Sequence, residues 1–242
     1  GAAAIHYLGL SGAFWVAMLA MFGAGVIACT SPELTVRAPP GAEAGPGPSV
    51  AGILRSHAKV FLTLGVGVLL IGVLRSSRQV VIPLWADHLS IEPTAISLIY
   101  GLVAAIDMSV FYPAGKVMDQ YGRFWVAMPC VLMMGVALLL IPLTTAPVAF
   151  IVVSLVLGFG NGIGSGIVMT LAADASPVQG RPQFLGIWRL MSDIGSSGGP
   201  ALLAAVTALV SLAAGITVIG SLGLVAAAVF WKWLPRGRPG QH

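Results

Sequence analysis

Gly115-Lys116-Val117-Met118-Asp119-Gln120-Tyr121-Gly122-Arg123 stands between two nearly unbroken apolar stretches, residues 93–113 and 124–143. Each flank is about 20 residues long, the length an α-helix needs to cross the hydrocarbon core of a bilayer. Lys116, Asp119 and Arg123 resist that environment, and Gly115 and Gly122 can take positive φ without a Cβ clash. The string therefore predicts a tight, charged reversal between two membrane helices. Repetition of that unit is what builds a polytopic membrane protein.

The rest of the chain follows the same pattern. Of 242 residues 57% are hydrophobic and only 8% charged, against roughly 25% charged in a soluble domain. A water-soluble enzyme, a nucleic-acid binder and a disordered tail are excluded on that ground. Seven apolar segments follow at roughly 5–29, 58–86, 93–113, 124–143, 147–173, 184–209 and 212–234. Pro32, Pro39, Pro40, Gly41, Gly45, Pro46, Gly47 and Pro48 separate the first from the other six, too broken for a helix. The predicted fold is an all-α polytopic membrane protein: a helix at 1–29, a linker at 30–57, a six-helix bundle at 58–234 and a tail at 235–242.

The net charge of +4 is scattered, and its pattern gives topology rather than a polyanion partner. Basic residues collect in cytoplasmic loops. Arg37, Arg55 and Lys59 mark the linker, Lys116 and Arg123 the loop after the third segment, Arg181 the loop after the fifth, and Lys232, Arg236 and Arg238 the tail. The connections near 87–92, 144–147 and 211–215 carry no Lys or Arg and are expected outside. Trp85, Tyr121, Trp125, Trp231 and Trp233 fall where interfacial aromatic anchors belong.

Five ionisable side chains remain inside the spans: Arg75, Arg78, Asp107, Arg189 and Asp193. Each costs several kcal/mol in hydrocarbon unless paired or wetted, so each marks a candidate site. Counting about 1.5 Å per residue, Arg75 and Asp107 lie about 16 and 21 Å from the outer ends of their helices, close enough in depth to pair. Arg78 then snorkels outward or joins Arg75 in meeting an anionic group, with Asp107 as the proton-titrating partner. Asn161 lies at a similar depth and offers either a cavity contact or an interhelical hydrogen bond. Arg189 and Asp193, four apart, read as a gate or as a purely intrahelical pair. Arg123 supplies a fork for a second carboxylate, with Asp174 the nearest candidate.

Glycines four apart in Gly158-Phe159-Gly160-Asn161-Gly162-Ile163-Gly164-Ser165-Gly166 permit close helix approach. A dinucleotide loop would need a preceding strand. Cys29 and Cys130 lack metal-ligand spacing, His6, His57, His88 and His242 are isolated, and no catalytic or nucleotide-binding motif is present. The expectation is therefore no enzyme, no metal and no cofactor.

The nine-residue string resembles the loop signature of the major facilitator superfamily: Gly115, Asp119, Gly122 and Arg123 match it, while Gln120, Phe124 and Trp125 replace usually basic positions. One helix, a long linker and six more helices resemble helix six, the central loop and helices seven to twelve of that family. Ala173-Asp174-Ala175-Ser176-Pro177 with Arg181, Arg189 and Asp193 looks like its tenth-to-eleventh helix passage. Gly195, Gly199 and Pro200 partly match an antiporter motif whose usual home is the fifth helix; physically they mark a kink or a close helix contact.

The resemblance implies secondary active transport by two rocking six-helix halves, with the other half outside this sequence. It also implies a proton as coupling ion, a small-molecule substrate and a multi-pass location in the plasma or inner membrane, with linker and C-terminus cytoplasmic. Export of amphipathic compounds is the first expectation. Uptake of an organic anion is its rival on the strength of Arg75 and Arg78, and a non-transporting scaffold or receptor and an intramembrane enzyme are the readings from other classes.

Overall fold

The computed structural model describes residues 15, 18, 19, 21–26 and 49–236. The chain divides into two units, Gly1–Gly45 and Pro46–His242. In the first, residues 21–26 are helical. Apart from residues 15, 18, 19 and 21–26, the predicted first span lies outside the described residues, as do the proline-rich linker up to residue 48 and the tail from residue 237.

The second unit is a bundle without strands among its described residues. A short helix, α1 (Val50–Ser56), is capped by the Ser49 hydroxyl, which accepts from the Gly52 N–H, so the end of the expected linker is helical. Then follow α2 (Ala58–His88), α3 (Pro93–Tyr121), α4 (Phe124–Leu140), α5 (Pro147–Ile163), α6 (Ile167–Ala175), α7 (Arg181–Leu209) and α8 (Leu212–Trp233). Pro93 and Pro147 sit at first helical positions, where the missing N–H costs nothing. Ser211 caps α8 by accepting from the Ala214 N–H.

Among the described residues five helical runs are long and apolar enough to cross a membrane: Ala58–His88, Pro93–Tyr121, Phe124–Leu143, Pro147–Ala175 and Leu212–Trp233. The chain thus carries multiple membrane-spanning helices. α7, 29 residues long, has the length but less apolarity, because Arg181, Arg189, Asp193 and a run of serines and glycines dilute it.

Two boundaries differ from the sequence reading. The helix expected to stop at residue 113 runs on to Tyr121, so Gly115 lies inside α3 with open space around it and takes no part in the reversal. Gly122 alone turns the chain, at φ 101°, a conformation that L side chains rarely adopt. The segment expected to be continuous over 147–173 breaks at Gly164-Ser165-Gly166. Glycine is a poor helix former, and here two glycines flank a serine at the point where a backbone carbonyl is drawn elsewhere.

Glycine also sets the packing. A Cβ on Gly195 would collide with the Leu69 carbonyl oxygen and one on Gly199 would lie 2.6 Å from that of Val73, so α7 lies directly on the α2 backbone. On the other side, Cβ atoms on Gly158 and Gly162 would lie 2.8 and 2.5 Å from the Val103 and Asp107 carbonyl oxygens, fitting α5 against α3. Gly135 meets Gly223 in the α4/α8 contact. Small residues four apart allow this approach in lipid, where packing rather than water exclusion drives association.

The principal contacts are α2 with α7, α4 with α8, and α3 with α5. Exchanging α2, α3 and α4 for α5, α7 and α8 leaves that set of three pairings unchanged.

Candidate functional site

Halfway along the bundle, charged and polar side chains from three helices converge. Arg78 of α2 donates through Nη2 to Asp107 Oδ2 of α3 at 3.2 Å, the two side chains being 11% and 18% exposed. Asn161 of α5 donates through Nδ2 to the same oxygen at 2.6 Å. The short asparagine reaches because Gly162 lets α5 sit against the backbone of Asp107. Arg75, one turn before Arg78, donates through Nη2 to the carbonyl oxygen of Gly164 at the α5/α6 break, beside Cys130 of α4.

The pairing differs from the sequence expectation, which put Arg75 with Asp107 and let Arg78 snorkel outward. Arg78 lies about 15 Å from the C-terminal end of α2, at His88, and Asp107 about 21 Å from the N-terminal end of α3, at Pro93. Helical side chains lean toward the N-terminus of their own helix. α2 and α3 are antiparallel, so Arg78 leans away from the His88 end while Asp107 leans toward it, and the apparent gap closes. The same tilt carries Arg75 past Asp107 to Gly164. Counting Cα depths alone misses by one turn.

The second charged constellation lies at the Tyr121 end of α3. Arg123 donates through Nε to Asp174 Oδ2 at 2.8 Å and through Nη2 to Asp174 Oδ1 at 3.4 Å, a two-pronged fork. Its Nη1 donates to the Met118 carbonyl at 3.2 Å and lies 3.9 Å from Asp119. Asp174 sits in the last turn of α6, where the helix dipole disfavours a carboxylate; Arg123 offsets that and ties the α3/α4 turn to α6. Asp119 is largely exposed. Gly115, which the resemblance groups with these residues, lies in α3 before them and contributes no contact.

A third pair, Arg189 and Asp193, is intrahelical, with Nε to Oδ1 at 3.1 Å on an exposed face of α7. Arg181, exposed at the start of α7, pairs with no carboxylate among the described residues. Gly195 and Gly199 form the α2/α7 contact and Pro200 lies inside an unbroken α7, so this stretch is a close helix contact.

Sequence reasoning missed the Gly164 carbonyl and Cys130. The glycine density of 158–166 carried a signal for the former, since glycine serves both as packing residue and as helix breaker. Nothing in the sequence marked Cys130, which is fully buried. Among the described residues no cluster of three or more potential metal ligands exists.

Membrane-spanning helices thus hold a charged cluster away from their ends. Comparison with curated proteins yields no match. The family model described as Major Facilitator Superfamily matches residues 64–242, which takes in nearly all of α2, the whole of α3 to α8 and both interhelical ion pairs. The chain belongs to the major facilitator superfamily, a family of membrane transporters.

Proposed function

We propose that the chain is the substrate-coupling half of a proton-coupled secondary active transporter working by alternating access. The observation that carries this is the Arg78–Asp107–Asn161 cluster, held away from the ends of α2, α3 and α5. A buried ion pair is costly to assemble, and hydrophobic replacements of similar volume are often as stable, so its presence in lipid-facing helices points to use. Protonation of Asp107 removes the negative partner of Arg78 and changes what α2 and α3 hold between them.

In this reading Arg123, Asp174 and Asp119 form a cytoplasmic latch between the α3/α4 turn and α6, opened and closed as the halves rock, and Arg189 with Asp193 lies on the face that meets the opposite half. A second six-helix unit supplies the remaining cavity wall. The protein resides in the plasma or inner membrane with the Lys116 loop, the linker and the C-terminus inside, as the basic-residue pattern supports. Export of a small amphipathic compound is the direction the resemblance suggests, whereas the excess of guanidinium over carboxylate favours an anion.

The test uses the full-length protein in proteoliposomes. Solute flux that requires a pH gradient, and is lost in Asp107→Asn, is the expected result. No flux under any gradient supports a scaffold, and substrate turnover in detergent without a gradient supports an enzyme.

A further inference from the structure

The Trp233 end of α8 gathers cations and aromatic rings without an acid. No Asp or Glu stands in α4, in α8 or anywhere after Asp193. At the α3/α4 turn, by contrast, Arg123 has Asp174 and Asp119 within reach. Lys232 and Arg236 pair with no carboxylate among the described residues, and Arg238 adds a third basic residue to the same stretch of sequence.

Pro235 lacks the N–H that would continue α8. The chain leaves the helix at the buried Leu234 and brings Arg236 back over its last turn. The Arg236 guanidinium lies 4.2 Å from the centroid of the Trp231 ring and 5.4 Å from that of Phe124, the first residue of α4. Its Nη2 reaches the Trp231 carbonyl oxygen at 3.5 Å. Phe124 and Trp231 are themselves 5.8 Å apart, and Trp125 stands edge-on to Phe124 at 5.7 Å. Lys232 places Nζ 5.1 Å from the Trp233 centroid. An arginine held against an indole is already oriented, and because Arg236 is exposed its remaining N–H donors stay open to a ligand. Donors arrayed in that way fit the oxygens of a phosphate.

Depth identifies where the phosphate comes from. Trp125, Trp231 and Trp233 are exposed at the ends of two helices long and apolar enough to cross a membrane. Indole rings so placed sit at headgroup level, and the cations resting on them are then level with the lipid phosphates. From Trp231 the exposed residues Ala228 and Leu224 continue one face of α8 toward the bilayer interior, at the three- and four-residue spacings of a helical stripe. That stripe is a track for an acyl chain, from which a free phosphate ion would gain nothing.

We propose that Arg236 and Lys232, with Trp231 as the platform, form a site for the phosphate of an anionic phospholipid at the α4/α8 edge of the bundle. With no carboxylate nearby, the amine of a zwitterionic headgroup meets only like charge, so a lipid of net negative charge is preferred. The site shares no residue with the Arg78–Asp107 cluster or with the Arg123–Asp174 pair and does not depend on the transport reading.

The experiment is native mass spectrometry of the full-length protein in a neutral detergent, titrated with phosphatidylglycerol, with phosphatidylcholine and, separately, with inorganic phosphate. The first phosphatidylglycerol is expected to bind at least about tenfold more tightly than phosphatidylcholine, since each basic residue at a membrane surface contributes about fivefold in affinity. Arg236→Gln and Lys232→Gln should each weaken it by about fivefold. Arg236→Lys, which keeps the charge and loses the fork, should fall between wild type and Arg236→Gln. Trp231→Leu, apolar but without the platform, should weaken it by about two- to fivefold. Arg181→Gln removes an equal charge at the start of α7 and should leave the first-lipid affinity unchanged.

An equal loss in Arg181→Gln and Arg236→Gln would reduce the preference to net charge and overturn the site. Equal affinity for the two lipids would do the same. Competition by inorganic phosphate at the concentration of the lipid would make it a site for a free anion and would also overturn the proposal.

Discussion

Arg78–Asp107 and Arg123–Asp174 use the same chemistry in opposite settings. The first joins α2 to α3 midway along the bundle, with both partners largely out of water and a third helix contributing Asn161. The second joins a turn to a helix end, with Asp174 about half exposed. Burial turns the first into an element that must be paired or protonated at all times. Partial exposure leaves the second free to break and reform, because water can take over either partner. A coupling centre and a latch need those two behaviours.

The sharpest way to break this contrast is to remove one partner of each pair. Asp107→Ala leaves Arg78 buried and uncompensated, which should destabilise the folded protein by about 3–5 kcal/mol; denaturation in mixed micelles reads this. Asp107→Asn keeps a polar group beside Arg78 and Asn161 and should cost clearly less. If Asp107→Ala and Asp107→Asn are equally mild, the centre is wet and the contrast disappears.

Next in size is the contact that brings Asn161 to Asp107. Gly162→Ala sets a methyl where the Asp107 carbonyl lies 2.5 Å away, and overpacking of this kind costs roughly 1–3 kcal/mol. Gly115→Ala, in open space on the same helix as Asp107, should be neutral or slightly stabilising, since alanine is the better helix former. An equal loss at both sites would mean that α3 and α5 are not in the register described.

Arg123→Ala should cost on the order of 1 kcal/mol or less in stability, as partly exposed pairs do, while slowing transport by much more than that loss implies. Moderate salt should mimic it, because screening acts on exposed pairs and hardly on buried ones. The smallest effect is expected at Arg189→Ala. Its intrahelical partner on an exposed face is worth roughly 0.3–0.5 kcal/mol, and a large loss there would move the gate to α7.

Much of the fold was legible because lipid imposes a simple code: apolar runs of sufficient length, interrupted by glycine, proline and charge. The helices formed by 124–140 and 212–233 follow from it almost directly. Where the code failed, two roles shared one residue type. Gly115 and Gly122 look alike in sequence, yet only Gly122 has the positive φ that reverses the chain. The glycines of 158–166 serve as packing surface at Gly158 and Gly162 and as helix break at Gly164.

The site was legible in its members and less so in its pairings. Intramembrane charge identified Arg75, Arg78 and Asp107 without any geometry, since so few charges occur there. Which arginine meets the aspartate depends on the direction side chains lean along two antiparallel helices, a shift of several ångströms that residue counting does not contain. Arg123 and Asp174 needed no such correction, because a turn and a helix end leave little choice of partner.

The central claim is that Asp107 couples a proton to solute movement rather than merely cementing α2 to α3. Its most direct test is to measure, in proteoliposomes of the full-length protein, both equilibrium exchange of labelled solute and its accumulation under an imposed pH gradient, for wild type and Asp107→Asn. The account predicts that Asp107→Asn still exchanges solute across the membrane and no longer accumulates it. Accumulation undiminished in Asp107→Asn would contradict it.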